Sequence, residues 1–264
     1  MVDPFELCRL AAQAARNAGS LLVAGLDDVR TEVETKSSST DMVTDMDRAA
    51  EACIAEHLLG ARPDDGMVGE EGMQREGTSG VRWIVDPLDG TTNYLYGLPG
   101  FGVSIAAEHN GTVVAGVVLD VIRNELFAAT LGGGATRDDT PIKASDATDL
   151  ATSLIATGFS YDPARRARQA AMLTEVLPRV RDIRRFGAAA VDLCSVACGR
   201  ADGYYEHGLA VWDLAAGALI AAEAGAVMTD FEGGPATPGA VVAAAPGVAT
   251  ALRALLVAAG ARDV

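Results

Sequence analysis

Residues 83–93 read Trp-Ile-Val-Asp-Pro-Leu-Asp-Gly-Thr-Thr-Asn, an apolar run that leads into two aspartates three positions apart. The apolar residues are typical of a buried strand, and Pro87 fixes the backbone of the turn that follows them. Gly90 lets a ligand come close to the main chain because it has no side chain. The pattern predicts a strand that ends before Asp86 and delivers this side chain and Asp89 to a binding site. Taken alone, it also fits an ordinary turn.

Two threonines, Thr91 and Thr92, follow this turn. They are predicted to begin a short helix, whose first N–H groups have no partner within the helix. These groups and the helix dipole favour an anion, so the segment is suited to receive a phosphate.

Further acidic side chains occur where other elements end or begin. Glu70 and Glu71 follow a predicted strand at residues 67–69, and Asp213 lies at the start of a predicted helix. Any one of them alone also fits a helix cap or a solvated surface group. Together they form an oxygen-only donor set, which suits Mg²⁺, Mn²⁺ or Ca²⁺ and fits zinc or iron poorly. Two such ions about 3.5 to 4 Å apart would stabilise both oxygens of a phosphoryl transfer.

The rest of the chain divides into two patterns. The first half combines two helices, predicted over residues 4–26 and 45–60, with an antiparallel sheet whose hairpin turns at Asn110-Gly111. From Leu154 onward, strand and helix patterns alternate as in a mixed α/β lobe. We therefore predict lobes at residues 1–134 and 135–264.

Composition excludes several classes of protein. The 264 residues include 21 basic and 36 acidic side chains, for a net charge of −15, and only 5% are aromatic. Such a chain repels nucleic-acid backbones, and it has few aromatic side chains on which bases could stack. The long uncharged run at residues 233–252 contains three prolines, which argues against a membrane span. We expect neither nucleic acid nor membrane as a partner and, because the first residues lack a signal-peptide pattern, a cytoplasmic location.

Three segments together resemble the signature of a known family. The first is Gly69-Glu70-Glu71, and the second is Asp86-Pro87-Leu88-Asp89-Gly90-Thr91-Thr92-Asn93. The third is Trp212-Asp213-Leu214-Ala215-Ala216-Gly217, followed by Glu223-Ala224-Gly225. Their order and spacing resemble those of the inositol monophosphatase family, and the resemblance covers nearly the whole chain. It implies a layered α/β/α/β/α sandwich of the sugar-phosphatase type, with an antiparallel sheet in the first lobe and a mixed sheet in the second.

The same resemblance implies an activity. It is the hydrolysis of a small phosphate monoester by direct attack of a water that about two or three Mg²⁺ ions activate, with Mn²⁺ as a substitute. It also implies inhibition by lithium and a homodimer.

Residue roles carry over position by position. The implied metal ligands are the side chains of Glu70, Asp86, Asp89 and Asp213 and the carbonyl of Leu88. The implied catalytic residues are Asp86, Glu70 and the pair Thr91 and Asp47, which would position and deprotonate the water. Substrate contacts fall on Asp89, Gly90, Thr91, Gly187, Ala188, Ala189, Glu206 and Asp213. Lys36 and Asp41 would belong to a polar loop near the metals.

Two departures and one neighbouring family qualify these expectations. Ala188 stands where Ser or Thr is common in the family, which removes a hydroxyl near the substrate and leaves the choice of sugar alcohol open. Ala226 stands where Gly is common, a change that is expected to affect only packing. The haloacid dehalogenase phosphatases use a DxDxT pattern with an attacking aspartate. Here Asp86 and Asp89 are one position further apart, which argues against a phospho-aspartate.

Alternatives remain for the substrate and for the class of protein. The best interpretation is hydrolysis of myo-inositol 1-phosphate. Histidinol phosphate, fructose 1,6-bisphosphate and 3′-phosphoadenosine 5′-phosphate are alternatives within the family. A non-catalytic regulatory or interaction protein on the same scaffold is the alternative from another class.

Overall fold

The helices and sheets of the chain are seen in a computed structural model that describes residues 2–26, 33–35 and 42–264. Lys36 and Asp41, predicted to lie near the metals, fall outside the described residues. The described residues form seven α-helices. In chain order they are α1 (Pro4–Ala24), α2 (Asp45–Ala61), α3 (Thr91–Leu95), α4 (Pro163–Val176), α5 (Ala189–Ala197), α6 (Val211–Glu223) and α7 (Ala249–Ala258). None of the described helices combines the length and apolarity that crossing a membrane requires.

Fifteen strands in the described residues form three sheets. In chain order they are β1 (Val33–Thr35), β2 (Met42–Thr44), β3 (Gly66–Gly69), β4 (Gln74–Arg75), β5 (Val81–Asp89), β6 (Gly102–His109), β7 (Thr112–Asp120), β8 (Glu125–Thr130), β9 (Gly134–Arg137), β10 (Thr140–Pro141), β11 (Leu154–Thr157), β12 (Asp182–Arg184), β13 (Gly203–Glu206), β14 (Val227–Thr229) and β15 (Val241–Ala244).

The largest sheet has eight strands in the order β10-β9-β8-β7-β6-β5-β3-β4. The hairpin predicted at Asn110-Gly111 joins β6 to β7. All neighbours are antiparallel, as predicted, apart from β3 and β5, which run parallel. The exception arises because β4 folds back along the outer edge of β3, so that the chain enters β5 in the direction of β3. The parallel pair brings the C-terminal ends of both strands to the same edge of the sheet.

The second sheet has five strands in the order β12-β11-β13-β15-β14. Strand β11 is parallel to both of its neighbours, whereas β15 is antiparallel to β13 and β14. The prediction of a mixed sheet in the second half is confirmed.

Five layers follow from which faces share a core. Helices α1 and α2 cover one face of the large sheet, where Trp83 and Val85 are buried. Ile84 points to the other face, where α5 and α6 fill the space between the two sheets. Helices α4 and α7 cover the outer face of the second sheet, around Leu252. The predicted α/β/α/β/α sandwich is therefore confirmed, and successive apolar side chains of β5 point alternately into the two cores on either side of the large sheet.

The large sheet continues beyond the Gly-rich segment at residues 132–134. Strand β9 begins at Gly134 and pairs with β8. The predicted lobes, 1–134 and 135–264, stay a prediction, and their boundary runs through this strand.

Candidate active site

The end of β5 is irregular where the two aspartates lie. The strand runs through Asp89, so the prediction that it ends before Asp86 is wrong. Asp86 pairs with Ser104 and Asp89 with Gly102, and the intervening pairing with β6 is interrupted. The Leu88 backbone N–H donates to Asp86 Oδ1 at 3.0 Å. This bulge turns both buried carboxylates toward the same region of the molecule.

Two further acids reach this region from other elements. Glu70 directly follows β3, and its backbone N–H donates to the Val85 carbonyl at 3.2 Å. Asp213 lies in the first turn of α6 and accepts the Ala210 N–H at 2.7 Å. The first hydrogen bond fixes Glu70 beside the end of β5, and the second fixes the Asp213 side chain at the start of α6.

Asp89 also caps a helix. The backbone N–H groups of Ala189 and Ala190 donate to its two carboxylate oxygens at 3.1 and 2.7 Å. Ala188, the residue at the N-cap of α5, has no side-chain oxygen to make this contact. The carboxylate from β5 therefore replaces the missing cap and locks α5 against the large sheet.

One cavity of about 410 Å³ lies over these elements. Its lining contains ten of the predicted site residues, namely Glu70, Asp86, Leu88, Asp89, Gly90, Thr91, Gly187, Ala189, Glu206 and Asp213. Asp47 and Ala188 are buried and lie outside the lining. Of the predicted substrate contacts at the start of α5, Gly187 and Ala189 thus reach the cavity.

The carboxylates repel one another. Burial, first, and then the charges of Glu70, Asp89 and Asp213 raise the pKa of Asp86 well above its usual value. Burial and Asp213 act in the same direction on the pKa of Asp89. Asp86 is also hydrogen-bonded to Glu70, which raises its pKa further because carboxyl groups so close share a proton. A bound cation would relieve the repulsion among these four carboxylates.

The donor set fits a hard divalent cation. In the described part of the chain, no three acidic, cysteine or histidine side chains are already arranged to hold a metal. The four acids nevertheless share one cavity and their charges act on one another, and every donor atom they offer is an oxygen. Oxygen donors select Mg²⁺ or a similar ion over zinc, which prefers nitrogen and sulfur.

Thr91 contacts Asp47, a buried aspartate outside the cavity lining. Its hydroxyl oxygen lies 3.3 Å from Asp47 Oδ1 and 3.2 Å from the Leu88 carbonyl. Thr91 is the first residue of α3, and Gly90 precedes it with a φ of 94°, where a side chain would collide with the Gly100 carbonyl. The predicted short helix is confirmed, and the hydroxyl connects the cavity to a buried carboxylate.

Comparison with known proteins identifies the family to which the chain belongs. The profile of the inositol monophosphatase family matches residues 3–261. An inositol-1-monophosphatase of Mycobacterium leprae is 47% identical over 263 residues, 96% of this chain and 88% of the relative. The chain belongs to the inositol monophosphatase family. The prediction of a phosphoric monoester hydrolase is thereby confirmed at the level of enzyme class, and the metal dependence of the family fits the oxygen-only donor set.

Further relatives carry the name SuhB or inositol monophosphatase. A Nus factor SuhB of Pasteurella multocida is 44% identical over 247 residues, 91% of each chain. The structure of an extragenic suppressor protein suhB from Bartonella henselae has a TM-score of 0.91 at 41% identity and covers 95% of this chain and 98% of its own. An inositol monophosphatase from Anabaena (Nostoc) sp. PCC 7120 has a TM-score of 0.83 at 35% identity, with 96% of each chain covered.

Glu206 ends β13 and lines the cavity of this inositol monophosphatase family member. Burial raises the pKa of its carboxyl to about 7. The Tyr204 hydroxyl donates to Glu206 Oε2 at 2.6 Å, and the Arg185 guanidinium lies nearby; both lower this pKa. Glu206 therefore has remaining lone pairs with which to accept hydrogen bonds from a ligand.

A buried acid that the sequence analysis did not select supports the Glu70 segment. Glu51, on α2, accepts the backbone N–H of Glu71 and that of Met73, each at 2.9 Å. Both of its oxygens are thus used to hold the chain directly after Glu70. The sequence signal was an acidic residue four positions after Asp47, which places both side chains on one helix face.

Glu51→Gln is expected to weaken metal binding. Glutamine has one acceptor oxygen and so retains one of the two backbone hydrogen bonds, which loosens the segment that carries Glu70. We expect the Mg²⁺ concentration for half-maximal phosphate release to rise by about tenfold or more, while the rate at saturating Mg²⁺ stays close to that of the unchanged protein.

The matched control is Glu56→Gln, because Glu56 is an exposed acid on the same helix. Its metal requirement should equal that of the unchanged protein. A Glu51→Gln protein that is folded and needs no more Mg²⁺ than the control contradicts the positioning role of Glu51.

Proposed function

We propose that this protein hydrolyses a small phosphate monoester in a Mg²⁺-dependent reaction, with myo-inositol 1-phosphate as the preferred substrate. The observation that carries the proposal is a single cavity in which four mutually repelling acids lie beside a threonine hydrogen-bonded to a buried aspartate. The relatives named inositol-1-monophosphatase support the choice of substrate.

Metal ions would be held by the side chains of Glu70, Asp86, Asp89 and Asp213 and by the Leu88 carbonyl. When bound, such ions supply positive charge that attracts the phosphate into an acidic protein and lowers the pKa of water. The remaining functions fall to the protein's own groups.

Thr91 and Asp47 would handle the proton. The Thr91 hydroxyl accepts the proton of the attacking water and passes its own toward Asp47, to which it already lies at hydrogen-bonding distance. The backbone N–H groups of Gly90 and Thr91, at the start of α3, would bind the phosphate oxygens. Water attacks phosphorus directly, and no phosphorylated enzyme forms.

Glu206 would bind the alcohol half of the substrate. Its carboxylate accepts hydrogen bonds from the hydroxyl groups of a polyol, as Tyr204 already donates to it. A nucleotide with a second phosphate is disfavoured because the carboxylate would repel that phosphate. Gly187 and Ala189 complete this side of the cavity with backbone groups.

We further propose a cytoplasmic homodimer that lithium inhibits and that binds neither nucleic acid nor membrane. These properties rest on the family resemblance and on the net charge of −15. Size-exclusion chromatography with light scattering tests the dimer, and titration of the assay with Li⁺ tests the inhibition.

A second candidate is a regulatory or interaction protein on the same scaffold. The observation in its favour is that a relative with 44% identity is named Nus factor SuhB. Against it stands the presence of every acid of the site together with Thr91, which a protein without the chemistry has no physical need to keep.

The test is phosphate release from a panel of substrates at fixed Mg²⁺. The panel contains myo-inositol 1-phosphate, histidinol phosphate, fructose 1,6-bisphosphate and 3′-phosphoadenosine 5′-phosphate. We expect the highest kcat/KM for inositol phosphate. Preference for another member would replace the substrate, and no turnover on any member would favour the interaction protein.

A further inference from the structure

The cavity wall carries a cation to which the sequence analysis gave no role. Arg185 lines the cavity beside the predicted substrate contacts, and its side chain is exposed. Among the residues that the structure describes, its guanidinium makes no hydrogen bond or ion pair. Its neighbour Arg184, by contrast, donates to Asp182 Oδ2 at 2.6 Å. Arg185 is thus presented to the cavity, whereas Arg184 is engaged at the surface.

The backbone directly after Arg185 holds it in this position. The Asn93 side-chain amide donates to the Phe186 carbonyl at 2.7 Å, which ties this segment to α3. Gly187 follows with a φ of 98°, and a Cβ atom there would lie 2.2 Å from Arg185 Nη1. The guanidinium therefore rests against the bare backbone of Gly187, in space that any larger residue would fill.

Arg185 and Glu206 line the same cavity, and no ion pair joins their side chains. The charge of Arg185 lowers the pKa of Glu206 and also that of the buried Asp192, in both cases against burial, which raises them. A hydrogen-bond donor and an acceptor thus face one cavity, and each is within range of the other's charge. Two adjacent hydroxyl groups offer the complementary pattern, since one donates a hydrogen bond while the other accepts one.

We propose that Arg185 is a specificity-determining residue that, together with Glu206, binds two neighbouring hydroxyl groups of the substrate's alcohol half. Glu206 accepts a hydrogen bond from one hydroxyl, and Arg185 donates to the oxygen of the other. A second phosphate on Arg185 is disfavoured because the acids beside it repel that charge. This inference rests on the proposed function, since it assigns a role in binding the same substrate.

The experiment compares Arg185→Gln with Arg184→Gln on two substrates. Myo-inositol 1-phosphate carries neighbouring hydroxyl groups, and phenyl phosphate carries none. For Arg185→Gln we expect the KM for inositol phosphate to rise about tenfold or more, as for the loss of a charge-assisted hydrogen bond. The KM for phenyl phosphate should change by less than about twofold, and Arg184→Gln should leave both unchanged, as is usual for surface substitutions.

Several outcomes overturn the inference while leaving the proposed function intact. One is an unchanged KM for inositol phosphate in Arg185→Gln, and another is an equal loss on both substrates. A third is a larger loss on fructose 1,6-bisphosphate than on inositol phosphate, which would assign Arg185 to a second phosphate. If the unchanged protein turns over neither inositol phosphate nor phenyl phosphate, the proposed function itself has failed. Thermal melting curves of both variants verify that they are folded.

Discussion

Asp86→Asn is expected to lower phosphate release by about a thousandfold or more, because metal polarisation is worth several kcal/mol and each 1.4 kcal/mol is about tenfold in rate. Asparagine cannot carry the negative charge with which Asp86 would hold a cation. The fold should survive, since burial and neighbouring acids already disfavour the charged form of Asp86 in the metal-free protein. The measurements are the rate at saturating Mg²⁺ and the melting temperature without metal.

The sign of the stability effect follows from the raised pKa. A carboxyl group whose pKa is higher in the folded than in the unfolded protein destabilises the fold once the pH rises above its pKa in the unfolded protein. The neutral asparagine removes this destabilisation at neutral pH. The metal-free variant should therefore melt at the same temperature as the unchanged protein or higher. A near-normal rate would refute the role of Asp86 in metal binding.

Asp120→Asn serves as the matched control. Asp120 is also a buried aspartate at the end of a strand, but it lies outside the cavity and pairs with Arg123 at 2.6 Å. Its substitution should lower the melting temperature, because the arginine loses a charged partner, and it should leave kcat of the folded protein near normal. The two aspartates are thus expected to show opposite patterns of activity and stability.

Thr91→Ala is expected to slow the chemical step by roughly 10² to 10⁴ while metal affinity stays nearly unchanged, since general base catalysis contributes about that much. The substitution removes the hydroxyl that lies between the cavity and Asp47. It leaves the acids of the site and the Leu88 carbonyl in place. Single-turnover kinetics at saturating substrate measures the step, and calorimetric titration with Mg²⁺ measures the affinity.

Thr92→Ala is the control, because Thr92 follows on the same short helix and lies outside the cavity lining. It should behave as the unchanged protein in both measurements. If Thr91→Ala instead loses metal affinity, Thr91 would be reassigned from proton transfer to metal binding.

Much of the fold was predictable because it rests on local patterns. The buried apolar strand at residues 83–85 and the Asn110-Gly111 turn were readable in the sequence, and the structure contains both. The parallel pairing of β3 and β5 was not readable, because it depends on the short strand β4 that reverses the chain. That pairing is nevertheless what brings Glu70 beside Asp86.

The site was predictable in its residue types and less so in its contacts. The acids and Thr91 were recognised from their spacing. The hydrogen bonds of Asp89 to α5 join residues 100 positions apart, so no local pattern reveals them. Glu51 and Arg185 were missed for the same reason, since their partners come from distant elements. In each case the chemistry lies in a side chain whose neighbours are set by tertiary packing.

The most direct test of the account is phosphate release from myo-inositol 1-phosphate by chelator-treated protein as Mg²⁺ is restored. The four mutually repelling acids of the cavity predict that the stripped protein is inactive and that activity returns with Mg²⁺. Full turnover by the stripped protein in excess chelator would contradict the central claim that this acidic cavity works by holding metal ions.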